Sequence, residues 1–261
     1  MAIVTGGSSG IGLAAALELG RKGCQVALLA RDPARLAAAA ARLAGEGLSV
    51  LACPLDVRDR AATEVVVADL IARAGPPLWL VTAAGIVEPG FFLEQGAGRM
   101  EEQVATNLLG TFHVVRAAAP AMAAAGHGHV VLVSSGAGLF GVAGYSGYCA
   151  SKFAVRGLGE VLRIELAQTG VQVTVAVPPD TDTPQLEYEA RLRPSVIAAF
   201  AGAGRPLSAE MVARHMIRSA ERGRFLSAPS WQLNMIARLQ SFMSDRLAVM
   251  QMQLLRRDLK S

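Results

Sequence analysis

Lysine is scarce in this 261-residue chain: Lys22, Lys152 and Lys260 stand against 22 arginines. Aromatic residues make up only 5%, so a core must be built from aliphatic side chains. Three cysteines, Cys24, Cys53 and Cys149, are too few for a disulfide framework and too far apart for a metal knuckle. That excludes a stapled secreted scaffold, points to a reducing compartment, and leaves no metal site expected. No basic leader precedes Ala2-Ile3-Val4, so secretion is not expected. Residues 117–151 lack Asp, Glu, Lys and Arg, yet Pro120 and the glycines from Gly126 to Gly147 interrupt them too often for a membrane span. A helix end, a buried strand and a glycine-rich loop account for this stretch.

What is present describes a filled globular core: 52% of residues are hydrophobic and 18% charged, which excludes disorder. The net charge of +4 is uneven. Residues 1–204 carry 15 basic and 17 acidic side chains, and residues 205–261 carry 10 and 4. Without a nucleic-acid module beside it, this basic tail suits an anionic membrane surface better, and no nucleic-acid partner is expected.

Apolar runs alternate with helical stretches from the first residue. Ala2–Val4, Gln25–Ala30, Leu48–Ala52, Leu78–Thr82, His129–Ser134 and Val171–Val177 read as strands buried on both faces. Segments 33–45, 58–74, 99–125 and 147–169 have helical length and spacing. A helix near 208–222 and a run at Arg224–Leu226 supply a seventh strand. This alternation predicts one doubly wound α/β domain with a seven-stranded parallel sheet and helices on both faces.

Thr5-Gly6-Gly7-Ser8-Ser9-Gly10-Ile11-Gly12 follows the first strand and opens a helix. Gly6 permits the sharp turn, Gly10 lets backbone approach a pyrophosphate, and Gly12 lets helix and strand pack closely. The backbone amides of Ser8, Ser9 and Ile11 and the helix N-terminus then face an anion. The second strand ends in Ala30-Arg31-Asp32. Arg31, with Arg35 one turn later, can pair with a 2′-phosphate, which favours NADP(H) over NAD(H). Asp32 competes as a ribose reader or caps the next helix before Pro33. Asp56, after the third strand, is placed to meet the adenine edge or to cap a helix.

Tyr148-Cys149-Ala150-Ser151-Lys152 sets a phenol and an ammonium four residues apart on one helix face. The cation favours the phenolate and makes the hydroxyl a usable general acid near neutrality. Ser135 ends a buried strand where its hydroxyl can meet a carbonyl, and Asn107 puts an amide inside an apolar helix.

The glycine loop, Asn107, Ser135 and Tyr148-x-x-x-Lys152, in this order, resemble a short-chain dehydrogenase/reductase, and the likeness covers about residues 2–227. It implies a Rossmann-like fold and hydride transfer between nicotinamide and a carbonyl carbon. Tyr148 would protonate the alkoxide and Ser135 polarise the carbonyl. Lys152 would lower the Tyr148 pKa and bond the nicotinamide ribose, and Asn107 would anchor a relay water. Ala84 and Gly85, Pro178, Thr181 and Thr183 would line the cofactor, Thr183 bonding the carboxamide. The family's Asn-Asn-Ala-Gly is here Thr82-Ala83-Ala84-Gly85, which leaves a strand-stabilising side-chain bond open.

Val177-Pro178-Pro179-Asp180-Thr181-Asp182-Thr183-Pro184 resembles the 3-ketodihydrosphingosine reductases, as do Ala30-Arg31 and Ala150 to Leu158. That likeness implies reduction of the 3-ketone of a long-chain sphingoid base with NADPH. Asp180 and Asp182 could attract its ammonium or cap the next helix. The alternatives are another hydrophobic ketone (steroid, retinoid or 3-oxoacyl thioester) or a non-catalytic NADP(H)-gated binding protein. Residues 184–206, with Leu186, Tyr188, Leu192, Val196, Ile197 and Phe200, suit a lid or ordinary helix packing within a domain at 1–228. In the extension 229–261, Trp231, Met235, Leu239, Phe242, Met243, Leu247, Met250 and Leu254 recur at helical spacing among Arg238, Arg246, Arg256 and Arg257. This amphipathic helix suits peripheral contact with a membrane or a homo-oligomer contact. The expected location is cytoplasmic, with the tail able to rest on the inner face of the membrane.

Overall fold

The computed structural model describes residues 1–193, 205–239, 249–250 and 252–253. Strands β1 (Ala2–Thr5), β2 (Val26–Ala30), β3 (Val50–Pro54), β4 (Trp79–Thr82), β5 (Gly128–Val133) and β6 (Val171–Ala176) are joined in one sheet by a short strand at Leu226–Ser227. Every pairing is parallel, in the order β3-β2-β1-β4-β5-β6 with Leu226–Ser227 at the far edge. Two further two-residue strands, β7 (Thr181–Asp182) and β8 (Leu207–Ser208), pair apart from the main sheet; the edge strand is then β9.

Alternate residues on each strand serve opposite cores, which is why both kinds of position are apolar. Val4, Val26, Leu28, Val81 and Val131 pack on one face with α1 (Gly10–Arg21), α2 (Pro33–Gly45) and α8 (Ala209–Glu221). Ile3, Ala27, Leu29, Leu80 and Val130 pack on the other with α3 (Arg60–Ala74), α5 (Gly110–Ala125) and α6 (Ser146–Glu165). The remaining helices are α4 (Ala97–Val104) and α7 (Pro184–Leu192), and residues 231–239 are helical.

Some boundaries differ from the sequence reading. The third strand runs two residues later than Leu48–Ala52, because pairing with β2 sets Val26 opposite Val50, while Leu48 packs over Gly20. The last strand likewise lies at Leu226–Ser227, paired with Val175 and Ala176, rather than at Arg224–Leu226. The expected helix 99–125 is α4 and α5 joined by a π-helical turn at Ala105–Leu109, and that turn carries Asn107. Length and hydropathy alone would let 97–125 cross a membrane, but it packs on α3 and α6. Val196, Ile197 and Phe200 of the expected lid lie outside the described residues, as do Phe242, Met243, Arg246, Leu247, Leu254, Arg256 and Arg257 of the tail.

Gly12 shows how tightly α1 docks on β1: a Cβ there would sit 2.3 Å from the Gly6 carbonyl oxygen. Backbone cannot yield as a side chain can. Gly12→Ala is expected to destabilise the fold by about 3 kcal/mol, the upper end for overpacking, read as a lower midpoint in urea unfolding.

Candidate active site

The sheet order reverses between β1 and β4, and open α/β sheets hold ligands outside the carboxyl ends of their strands at such a point. A cleft of about 1210 Å³ opens there. One end is floored by the glycine loop, where Gly6, Ser8, Ser9, Gly10 and Ile11 all line it. Gly10 has φ +51°, and a Cβ on it would meet the Thr183 side chain at 3.0 Å, so only glycine leaves this floor open. Ala84, Gly85, Pro178, Thr181 and Thr183 line the cleft as well. The Thr183 hydroxyl donates to the Thr181 carbonyl at 3.1 Å and accepts from Leu186 N–H, capping α7.

Arg31 and Arg35 line the cleft beyond β2 and are exposed. Asp32 lines it too, but its carboxylate caps α2 by accepting from the N–H groups of Ala34 at 2.9 Å and Arg35 at 3.0 Å. The end of β2 therefore presents two guanidiniums and a carboxylate already engaged. Asp56 does not reach the cleft, which Leu55 and Val57 line instead. Its carboxylate is gripped by Arg58, Nη2 to Oδ2 at 2.6 Å, and this hydrogen bond holds its pKa below the usual carboxylate range.

The loop after β4 replaces its missing asparagines by a different bond. Thr5 Oγ1 accepts from Ala84 N–H at 3.1 Å, so β1 rather than β4 supplies the side chain that pins the loop. The buried Thr82 hydroxyl finds no partner among the described residues. Asn107, fully buried, receives Ile86 N–H at 2.8 Å and donates to Ile86 O and Ser151 Oγ, both at 3.0 Å. It pegs this loop to α6. A Cβ on Gly85 would stand 3.2 Å from Asn107 Oδ1 and 3.4 Å from Lys152 Nζ, which shows how closely the three converge.

Ser135, Tyr148 and Lys152 all line the cleft. Ser135 follows β5, receives Ala137 N–H at 3.1 Å, and hydrogen-bonds Tyr148 through its hydroxyl. Lys152 Nζ donates to Val133 O at 3.0 Å and lies 5.6 Å from the Tyr148 ring centroid. Burial brings the Lys152 pKa down to about 8. It also pushes the Tyr148 phenol above its ordinary value, opposed by the Ser135 hydrogen bond and reinforced by the Glu189 and Asp180 charges. The lowering expected from Lys152 is overturned: removal from water is the largest influence on this phenol, and it raises the pKa. A phenol in this state keeps its proton at neutrality, as a proton donor must.

Tyr145 escaped the sequence reading, and Tyr188 entered it only as one apolar residue of the expected lid. Tyr145 stands edge-on to Tyr148 with ring centroids 6.3 Å apart, and its hydroxyl donates to Glu189 at 2.7 Å. From α7, Tyr188 donates to Glu88 at 2.7 Å, bridging this helix to the loop after β4. All three tyrosines of the chain line this cleft, a clustering that their rarity could have signalled. Of the two aspartates expected near the substrate, Asp180 lines the cleft, whereas Asp182 is exposed and lies off it.

A family model described as short chain dehydrogenase matches residues 1–192. The chain is a member of the short-chain dehydrogenase family. This enzyme is 36% identical over 234 residues to a 3-dehydrosphinganine reductase of Danio rerio, covering 87% of the present chain and 70% of the relative. It is 34% identical over 254 residues to a 3-ketodihydrosphingosine reductase of Bos taurus, covering 95% and 76%. Among solved structures, a short chain dehydrogenase/reductase from Burkholderia phymatum in complex with NAD superimposes with a TM-score of 0.82 at 26% identity, covering 91% of each chain. The enzyme is an oxidoreductase that acts on a ketone or alcohol group with a nicotinamide cofactor. The open floor at Gly10 and the amides around it fit such a dinucleotide.

Proposed function

We propose that this enzyme reduces the 3-ketone of 3-ketodihydrosphingosine to dihydrosphingosine, with NADPH as the reductant. The observation that carries the reading is the run of relatives bearing this activity in their names, in fish, mammals and plants, at 34–36% identity over most of the chain. When bound, the cofactor supplies the hydride. Gly6, Ser8, Ser9, Gly10 and Ile11 would hold its phosphates, while Ala84, Gly85, Pro178, Thr181 and Thr183 would flank the rest. Ser135 would orient the carbonyl oxygen and Tyr148 would give it a proton. Lys152, charged below about pH 8, would hold a ribose hydroxyl and offset negative charge arising at Tyr148. Asn107 would keep the loop at Gly85 against Lys152. Turnover of a long-chain 3-keto sphingoid base against a 3-oxoacyl thioester of equal length tests the reading: higher kcat/KM for the sphingoid ketone is expected, and preference for the thioester rejects it.

NADPH over NADPH's unphosphorylated counterpart rests on Arg31 and Arg35 at the end of β2, where charge-assisted bonds to a 2′-phosphate can form. Arg31→Ala is expected to weaken NADPH binding by about tenfold or more, with NADH affected much less. Equal losses, measured by fluorescence titration, would remove the basis for the phosphate form.

The reductase domain would span 1–228, with α7 as the described part of its lid. We also place the enzyme in the cytoplasm, with its C-terminal extension against the inner membrane face or a second copy of the chain. Trp231, Met235 and Leu239 are exposed along 231–239 and supply the apolar edge either contact needs. Co-sedimentation with anionic vesicles, set beside the mass of the protein free in solution, separates the two.

A further inference from the structure

Beside Tyr148 the cleft holds a charged group for which proton donation has no need. Glu189 in α7 has a side chain only 13% exposed and accepts from both Tyr145 and Arg193. Arg193, 12% exposed, also donates to Asp180 and to the Tyr145 hydroxyl, each at 3.0 Å. Two carboxylates thus share one guanidinium, and the balance is one negative charge. Arg205 lines the same cleft but forms an ion pair with neither, and Lys152 donates to Val133 O.

The remaining lone pairs are as telling as the net charge. The hydrogen bonds fall on Glu189 Oε1 and Asp180 Oδ2. Glu189 Oε2 and Asp180 Oδ1 accept no hydrogen bond from the described residues. Glu189 is largely withdrawn from water while Asp180 stays half open to it, so an acidic pair with two unbonded oxygens in a substrate cleft suits a ligand cation. Position selects which cation. Glu189 is one tyrosine ring away from Tyr148, and both carboxylates act electrostatically on that phenol. Their natural ligand carries its positive charge next to the group that Tyr148 protonates.

We infer that Glu189 and Asp180 together bind the ammonium of an α-amino ketone, with Arg193 holding the pair in place. The inference rests on the sphingoid-ketone reading above, in which the amine-bearing carbon adjoins the carbonyl carbon. An ammonium has three donors, enough to meet Glu189 Oε2 and Asp180 Oδ1 and keep one for a substrate oxygen or solvent. A neutral ketone or a thioester leaves both oxygens unmet, so this pair separates the amino ketone from its competitors. Asp182, exposed and off the cleft, takes no part.

The test measures kcat/KM for a long-chain 3-keto sphingoid base and for the desamino ketone of the same chain, in wild type, Glu189→Gln and Asp180→Asn. Wild type is expected to prefer the amino ketone. That preference falls about tenfold or more in Glu189→Gln, through KM, and by less in Asp180→Asn, whose side chain is 45% exposed. Should Glu189→Gln fail to fold by circular dichroism, Asp180→Asn decides alone. Equal losses on both ketones would mean that the carboxylates only brace Tyr145 and Arg193, and would overturn the inference. An unchanged preference overturns it as well. Wild type that reduces only the desamino ketone removes the substrate reading and this inference with it, whereas amino-ketone turnover indifferent to both variants removes the inference alone.

Discussion

Tyr148→Phe lowers kcat by about a thousandfold, the middle of the range for losing a general acid, while cofactor affinity stays within about twofold. The two effects separate because the phenol's ring and its hydroxyl do different things. The ring packs edge-on, partly buried, beside Tyr145, and phenylalanine keeps that contact. The hydroxyl is the only part lost, and with it the proton held ready beside Ser135. Loss of that single hydrogen bond costs about 1 kcal/mol of stability, so the variant stays folded. Stopped-flow turnover with parallel fluorescence titration of NADPH measures both quantities. A variant that keeps most of its rate would assign the proton to another group.

The second large effect belongs to Lys152. Burial brings its pKa to about 8, so the ammonium is charged below that pH and is lost as pH rises through it. If the charge is needed, wild-type kcat/KM is level at neutrality and declines above about pH 8. Lys152→Met keeps the length of the side chain, removes the charge and the donor to Val133 O, and is expected to cost about a hundredfold in kcat/KM. Its residual rate should lack the decline near pH 8. A decline that persists unaltered in Lys152→Met would trace the titration to a different group.

The sheet was readable because strands buried on both faces are written as unbroken apolar runs, and Val26–Ala30 and Val171–Ala176 fall within the predicted segments. Strand ends were less readable where pairing decides them: nothing local in Leu48-Ser49-Val50 says that Val50 sits opposite Val26. The π turn at Ala105–Leu109 was hidden for a related reason. Its apolar spacing is helical, and its departure from an ordinary helix goes with the contacts of Asn107 with Ile86 and Ser151, distant in sequence.

Within the site, residues in short motifs were legible and those recruited through the fold were not. Tyr148 and Lys152 lie one helical turn apart, and the glycine loop is contiguous. Glu189 and Arg193 reach Tyr145 only because α7 folds back over the cleft. Asp56 shows the opposite failure, a residue in a plausible place whose neighbour Arg58 takes up its carboxylate. Thr5 shows compensation, with a hydroxyl from β1 meeting Ala84 N–H where the loop's own sequence offers no amide. The expected direction of the Tyr148 pKa went astray because spacing reports proximity of charge but carries no information about burial.

The most direct measurement incubates the protein with NADPH and a long-chain 3-keto sphingoid base, following cofactor oxidation by absorbance and identifying the product by mass. One dihydrosphingosine formed for each NADPH consumed is the predicted result. Cofactor that binds while the ketone is recovered unchanged would contradict it.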